Sequence, residues 1–178
     1  RETRAEQVEV KNQNRALEID RLARDINRLE WDARRLRDRV SDLRRRANMM
    51  GRNQPQPRPG QPPRPSDPFF RNDLQRAVWD IRDFKRDVEL GEQTASRYAR
   101  EATPDPVLVG PAQNLSRDAR SLDSEAGWLE SEARWARMDL QRAGYTWEGY
   151  DIEREADDAR RSSQDLARSA SAMTNRVR

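Results

Sequence analysis

The stretch IDRLARDINRLEWDARRLRDRVSDLRRRANMM, residues 19–50, decides the fold class. Its apolar side chains recur at intervals of three and four without a miss: Ile19, Leu22, Ile26, Leu29, Ala33, Leu36, Val40, Leu43, Ala47 and Met50. That spacing lays all of them on one narrow stripe of an α-helix, the seam of a coiled coil. With Ile19 at heptad position a, leucine fills most d positions and β-branched residues fill several a positions, a combination that favours a parallel dimer. Carried back towards residue 1, the register puts Asn12 at a and Arg15 at d. A polar residue at a can set register, whereas an arginine at d has to reach water or a carboxylate. In a parallel dimer Arg4 meets Glu9 and Asp32 meets Arg37, but Asp25 meets Glu30 and Arg39 meets Arg44. At a few tenths of a kcal/mol, roughly, for each exposed pair, attraction and repulsion cancel, so an antiparallel or intramolecular partner stays open.

Working outward, residues 51–68 break the rhythm, because seven of the ten prolines lie there. Proline removes backbone donors and fixes φ, so the segment reads as an extended spacer, with Ser66, Asp67 and Pro68 as capping candidates for the next helix. Within it, residues 59–64 match the PxxPxR form of an SH3 ligand, a pattern that any proline- and arginine-rich linker produces often. From Phe70 the three-and-four rhythm resumes and runs to Ala102, where Thr103-Pro104-Asp105-Pro106 stops it. A third stripe starts near Pro111, runs from Leu115 to Ala143 and ends around Gly144; after a connection of Tyr145 to Gly149, a fourth carries Ile152 to Val177. The expected organisation is a coiled-coil helix (1–50), a proline-rich linker (51–68) and an antiparallel three-helix bundle (69–178). If the long N-terminal arm folds back, the arrangement becomes a four-helix one. The fold class is all-α.

Composition narrows the chemistry. Of 178 residues, 38% are charged and 34% apolar, and there is neither histidine nor cysteine. Histidine-based triads, thiolate nucleophiles, Cys/His zinc sites and Glu-x-x-His di-iron sites are therefore excluded, and no glycine-rich phosphate loop occurs. The expectation is a non-enzymatic protein with no catalytic residue, no metal and no cofactor. The longest purely aliphatic run is Val107-Leu108-Val109, far short of the ~18 apolar residues of a membrane span. The chain starts at Arg1 rather than methionine, which sets an exported or cell-envelope location as the expectation.

Two features point to partners. Trp31 and Trp79 fall at outer f positions, while Trp128 and Trp135 fall at c, seven residues apart on one side of the third helix. With Ser121, Ser124, Ser131 and Met138 the last two make a second stripe beside the leucine/alanine one. Either the first helix folds back and covers that stripe, or it docks a protein partner or another copy. Charge is also uneven. Between Ala33 and Pro65, ten arginines stand against Asp38 and Asp42, a net of +8 in a chain whose total is +3. Arg34, Arg35, Arg37, Arg44, Arg45 and Arg46 are thus candidate contacts for a nucleic acid or an anionic lipid surface. The leading expectation is a scaffold or tether that forms a homo-oligomer, or pairs with a partner, along Ile19 to Leu43, and docks a protein around Trp31, Trp79, Trp128, Trp135 and Met138. Polyanion binding through the arginines is the alternative.

Overall fold

A computed structural model describes residues 3–53, 59–60 and 67–178, and it is all-helical, with no strand among the described residues. The proline-rich linker and its PxxPxR pattern fall mostly outside the described residues. Four helices follow one another: α1 (Arg4–Asn53), α2 (Pro68–Glu101), α3 (Pro106–Arg142) and α4 (Thr146–Val177).

Helices α1, α2 and α3 begin where a side chain answers the free N–H groups of the first turn. Thr3 and Glu6 form a reciprocal capping box, the Thr3 N–H donating to Glu6 Oε2 at 2.7 Å and the Glu6 N–H to Thr3 Oγ1 at 3.3 Å. The same Asp-Pro device then starts two helices. Asp67 Oδ1 accepts from the N–H of Phe69, and Asp105 Oδ1 from that of Val107, with Pro68 and Pro106 in the first helical position, where no N–H is required. Hence α3 starts at Pro106, earlier than the expected Pro111. Pro111 sits inside the helix and forgoes one ladder bond.

The turn from α3 into α4 is also tighter than the expected five-residue connection. Gly144 adopts φ of 91°, its N–H donates to Gln141 O, and the Tyr145 N–H donates back to Leu140 O at 2.8 Å. This is a Schellman stop, in which glycine takes the left-handed conformation at no steric cost. Tyr145 O then accepts from the Gly149 N–H, so α4 is under way by Thr146, and Trp147 belongs to its first turn rather than to a connection.

The chain divides into two compact units, one formed by Arg1–Trp31, Asp87–Ser124 and Arg161–Arg178, the other by Asp32–Arg86 and Glu125–Arg160. Segments of all four helices contribute to each. In the first, Arg15 of α1 donates to Glu101 of α2 at 2.6 Å and lies over the Tyr98 ring, which is how an arginine at a d position escapes the core. Asn12 donates to Asp105 at 2.6 Å, and the Asp105 N–H donates to Val177 O at the end of α4. Arg176 caps the end of α2 through Ala99 O, and Thr174 of α4 donates to Ala112 O of α3. Asp105 therefore joins the start of α3 to α1 and α4. Hydrogen bonds from the Val107 backbone and then from Asn12 hold its carboxyl below the usual aspartate range.

In the second unit, Arg39 pairs with Asp80 and Arg46 with Asp73, linking α1 to α2, while Arg34 and Arg44 link α1 to α3. Arg71 and Glu148, then Arg82, Lys85 and Glu155, link α2 to α4; Arg137 and Glu153 link α3 to α4. In this unit the helix segments thus follow the ring order α1–α2–α4–α3. Residue numbers rise together along α1 and α3, so those two run parallel.

The core follows the sequence stripes. On α1, Ile19, Leu22, Ile26, Leu29, Ala33, Leu36, Val40, Leu43 and Ala47 are all buried. Along α3 every stripe residue from Leu115 to Leu140, and Ala143 just past its end, is inaccessible to solvent, and most are alanine, which lets helix backbones approach closely.

Glu155 is a buried carboxylate gripped by two cations, accepting from Arg82 Nε at 3.0 Å and Lys85 Nζ at 3.1 Å. Burial opposes its ionisation, but the two hydrogen bonds and the charges behind them outweigh it and lower its pKa. A carboxylate with a lowered folded pKa contributes stability above its unfolded pKa of about 4.3, and that stability is lost as pH falls through the folded pKa. Glu130 and Asp118 have the opposite sign, since burial raises both, and acidification relieves them. Glu155→Gln is expected to cost about 1–2 kcal/mol at pH 7, discounted for the partly exposed cations, and much less at pH 3. Urea midpoints at the two pH values check this; an equal loss at both would mean that the charge of Glu155 contributes nothing.

Candidate docking surface

Helix α3 carries two stripes with the same three-and-four spacing. One is the buried leucine/alanine stripe. The other runs Ser121, Ser124, Trp128, Ser131, Trp135 and Met138, and all six are exposed, the two indoles at 62% and 56%. An α-helix advances about 10.5 Å over seven residues, so the indoles stand two turns apart with the small Ser131 between them. Helix α1 packs beside α3, yet it leaves this stripe open. The account in which the folded-back arm covers the tryptophans is therefore corrected: the neighbouring helix meets α3 through charged side chains, of which Arg44 lies over the Trp135 ring, and both indoles stay more than half exposed.

The polar flank facing α1 is ordered. Glu125 accepts from Arg34 Nε at 3.0 Å and lies 3.5 Å from Arg37. Arg44 reaches Asp139 and Glu132 at 3.1 Å each and sits over the Trp135 ring, 5.6 Å from its centre. Burial works against the charge on Arg44, but the bonds to Glu132 and Asp139 outweigh it and raise its pKa. On the flank facing α4, Arg137 binds Glu153 at 3.0 Å and lies over Tyr150, while Arg134 reaches Glu130 at 3.5 Å and Asp157 at 3.8 Å. Gly127, one residue before Trp128, leaves room for the Arg160 guanidinium, into which a Cβ at 127 would run.

Of the six arginines singled out by charge alone, Arg34, Arg37, Arg44 and Arg46 are joined to carboxylates of other helices, and Arg35 pairs with Asp32 one turn away. Arg45 makes a longer bond, 3.5 Å, to Ser41 Oγ. Three of these arginines are thus answered by acids about ninety residues further along the chain, Arg34 and Arg37 by Glu125 and Arg44 by Glu132 and Asp139, while Arg39 and Arg46 find Asp80 and Asp73 on α2. Trp31 and Trp79 are exposed as their f positions imply, but they stand on α1 and α2, outside the α3 stripe. Charge counting along the sequence passed over Glu125, Glu132 and Asp139; their heptad positions beside Trp128 and Trp135 were the available signal.

Among the described residues no cluster of three or more Asp, Glu, His or Cys side chains could hold a metal ion, and no helix is long and apolar enough to cross a membrane. A small cavity lined by Lys11, Asn12, Arg15, Tyr98, Glu101 and Met173 among others holds about 20 Å³, the space of a single water. No protein-family model matches this chain, and no curated protein or solved structure matches it either.

Proposed function

We propose that this protein is a non-enzymatic helical scaffold that docks a protein partner through the outer face of α3. The observation that carries the reading is the row Trp128, Ser131, Trp135 and Met138, exposed on a helix whose opposite stripe is fully buried. Solvated rows of large apolar side chains are uncommon on proteins that act alone, and tryptophan supplies much of the energy where protein surfaces meet. The charged flanks support it as well, because the arginine–carboxylate pairs hold the rings' surroundings in place while leaving more than half of each indole exposed.

The α1 seam has a different role in this reading. Pairing with another chain along Ile19, Ile26 and Val40 would withdraw those side chains from their own core, so the coiled-coil pattern closes the arm onto the other three helices, the four-helix form of the expected architecture. Polyanion binding is the weaker account, since most of its arginines are already bound to carboxylates.

The test compares the intact chain with a Trp128→Ala/Trp135→Ala/Met138→Ala variant as baits in extract from the source cell, with thermal melting of each bait recorded. A partner retained by the parent and lost with the variant, at closely similar melting temperatures, is the expected result. Identical retention by both baits would remove the α3 face as the docking surface.

A further inference from the structure

We propose that the exposed stripe of α3 is self-complementary and binds a second copy of this chain, the two α3 helices running antiparallel about a twofold axis that passes between Leu129 and Glu130. The inference rests on the reading that the outer face of α3 docks a protein, and it names that protein.

The argument begins with side-chain size. Around such an axis Trp128 of one copy faces Ser131 of the other, Ser124 faces Trp135, and Ser121 faces Met138. Every layer then combines one small and one large side chain. A parallel pairing of the same stripe would stack Trp128 on Trp128 and Ser131 on Ser131, alternating overfilled layers with empty ones, and both conditions are unfavourable in a close-packed interface. Antiparallel coiled coils bring a positions against d positions, and the three-and-four spacing of this stripe is the one they require. Ser124 needs no partner for its hydroxyl, which already donates to Arg120 O at 3.2 Å.

Charge agrees with the same axis. At one end of the stripe two cations, Arg34 and Arg37, both reach Glu125, with Arg37 also 3.9 Å from Asp38. At the other end the single Arg44 is shared by two carboxylates, Glu132 and Asp139, with exposed Arg142 reaching Asp139 only at 3.8 Å. The twofold keeps the α1 side of one copy on the α1 side of the other and inverts the helix direction. It therefore sets Arg34 and Arg37 of one copy across from Glu132 and Asp139 of the other, twice. The area is adequate too: four indoles at roughly 150 Å² each give about 600 Å². The methionines and facing flanks carry the total towards the ~1,000 Å² of a specific interface.

Sedimentation velocity on the full chain and three variants tests the proposal, with circular dichroism as a control for folding. The parent is expected to form dimers as its concentration rises. Ser131→Trp places two indoles in each central layer, and Trp128→Ser leaves two serines there; each should weaken the dimer about tenfold or more. The double variant Trp128→Ser/Ser131→Trp exchanges small and large across the axis and should recover an affinity within a few-fold of the parent. A parent that stays monomeric overturns the proposal, as does a double variant no better than either single one. A monomeric parent that still loses a captured foreign protein in the triple alanine variant would overturn the dimer alone and leave the docking reading standing.

Discussion

Replacing Ile26 with aspartate is expected to cost more than about 4 kcal/mol and to do so at every protein concentration. Ile26 lies on the α1 seam and is inaccessible to solvent within a single chain. The substitution removes a buried aliphatic side chain and puts a carboxylate into the apolar seam, and each change alone is among the larger penalties a point mutation can impose. Folded domains of this size are stable by about 5–15 kcal/mol, so the variant should melt more than about 10 °C below its parent. Both chains are best compared in the Trp128→Ser background, where association through α3 is suppressed, at two concentrations tenfold apart. The alternative role for this seam, pairing between chains, makes the opposite prediction. A helix held only by another copy would already be frayed at high dilution, and Ile26→Asp would then change little there. Loss of most of the penalty on dilution would thus overturn the closed arrangement, and Leu29→Asp, one turn further along the seam, should behave like Ile26→Asp.

The stripes of α1 to α4 were legible because one period governs them all: an apolar residue every three or four positions leaves little choice of buried face, and the residues so marked are buried except Met50 and Ala102 at the ends of their stripes. The helix ends were less legible, for reasons that can be named. Asp105 followed by Pro106 reads equally as the end of one helix and the start of the next. The hydrogen bonds show that it starts α3, through Val107, and ties that start to Asn12 of α1 and to Val177 at the end of α4, while α2 has already ended at Glu101. The fate of the arginine excess was hidden altogether, since Glu125, Glu132 and Asp139 are distant in sequence and meet Arg34, Arg37 and Arg44 only when α1 lies along α3. The partner of α1 was equally hidden, because the charges flanking its seam cancel when summed for a dimer. Arg15 shows the limit of pattern reading. Its d position demanded an escape from the core, but that the escape is Glu101 together with the Tyr98 ring required the fold. For the α3 surface the sequence revealed the stripe of Trp128, Ser131, Trp135 and Met138. Its openness to solvent beside a neighbouring helix is a property of packing alone.

Tyr145 is where pattern reading passed over a core residue entirely, and it carries the second large effect. Assigned by sequence to a connection, it is among the largest fully buried side chains, with its ring edge-on to Phe70 at 4.9 Å between centres and its hydroxyl donating to Asp67 O at 3.2 Å. Burial raises its pKa, with the Asp67 backbone bond working the other way. Through this one side chain the Schellman turn that ends α3 is fastened to the residue that caps α2, immediately after the proline-rich linker. Tyr145→Ala should therefore cost about 3–5 kcal/mol, the range for deleting a buried aromatic ring. Tyr145→Phe keeps the ring and the contact with Phe70 and gives up only the hydrogen bond, so about 1 kcal/mol is expected, more if Asp67 O is left without water. Urea denaturation of the two variants separates the contributions, provided the slope of each transition matches that of the parent. If Tyr145→Phe were as damaging as Tyr145→Ala, the tether to Asp67 would be the dominant interaction and ring packing a minor one. If neither variant moved the midpoint, the turn would be holding itself through Gly144 and the backbone bonds to Leu140 and Gln141, and the ring would be a passenger.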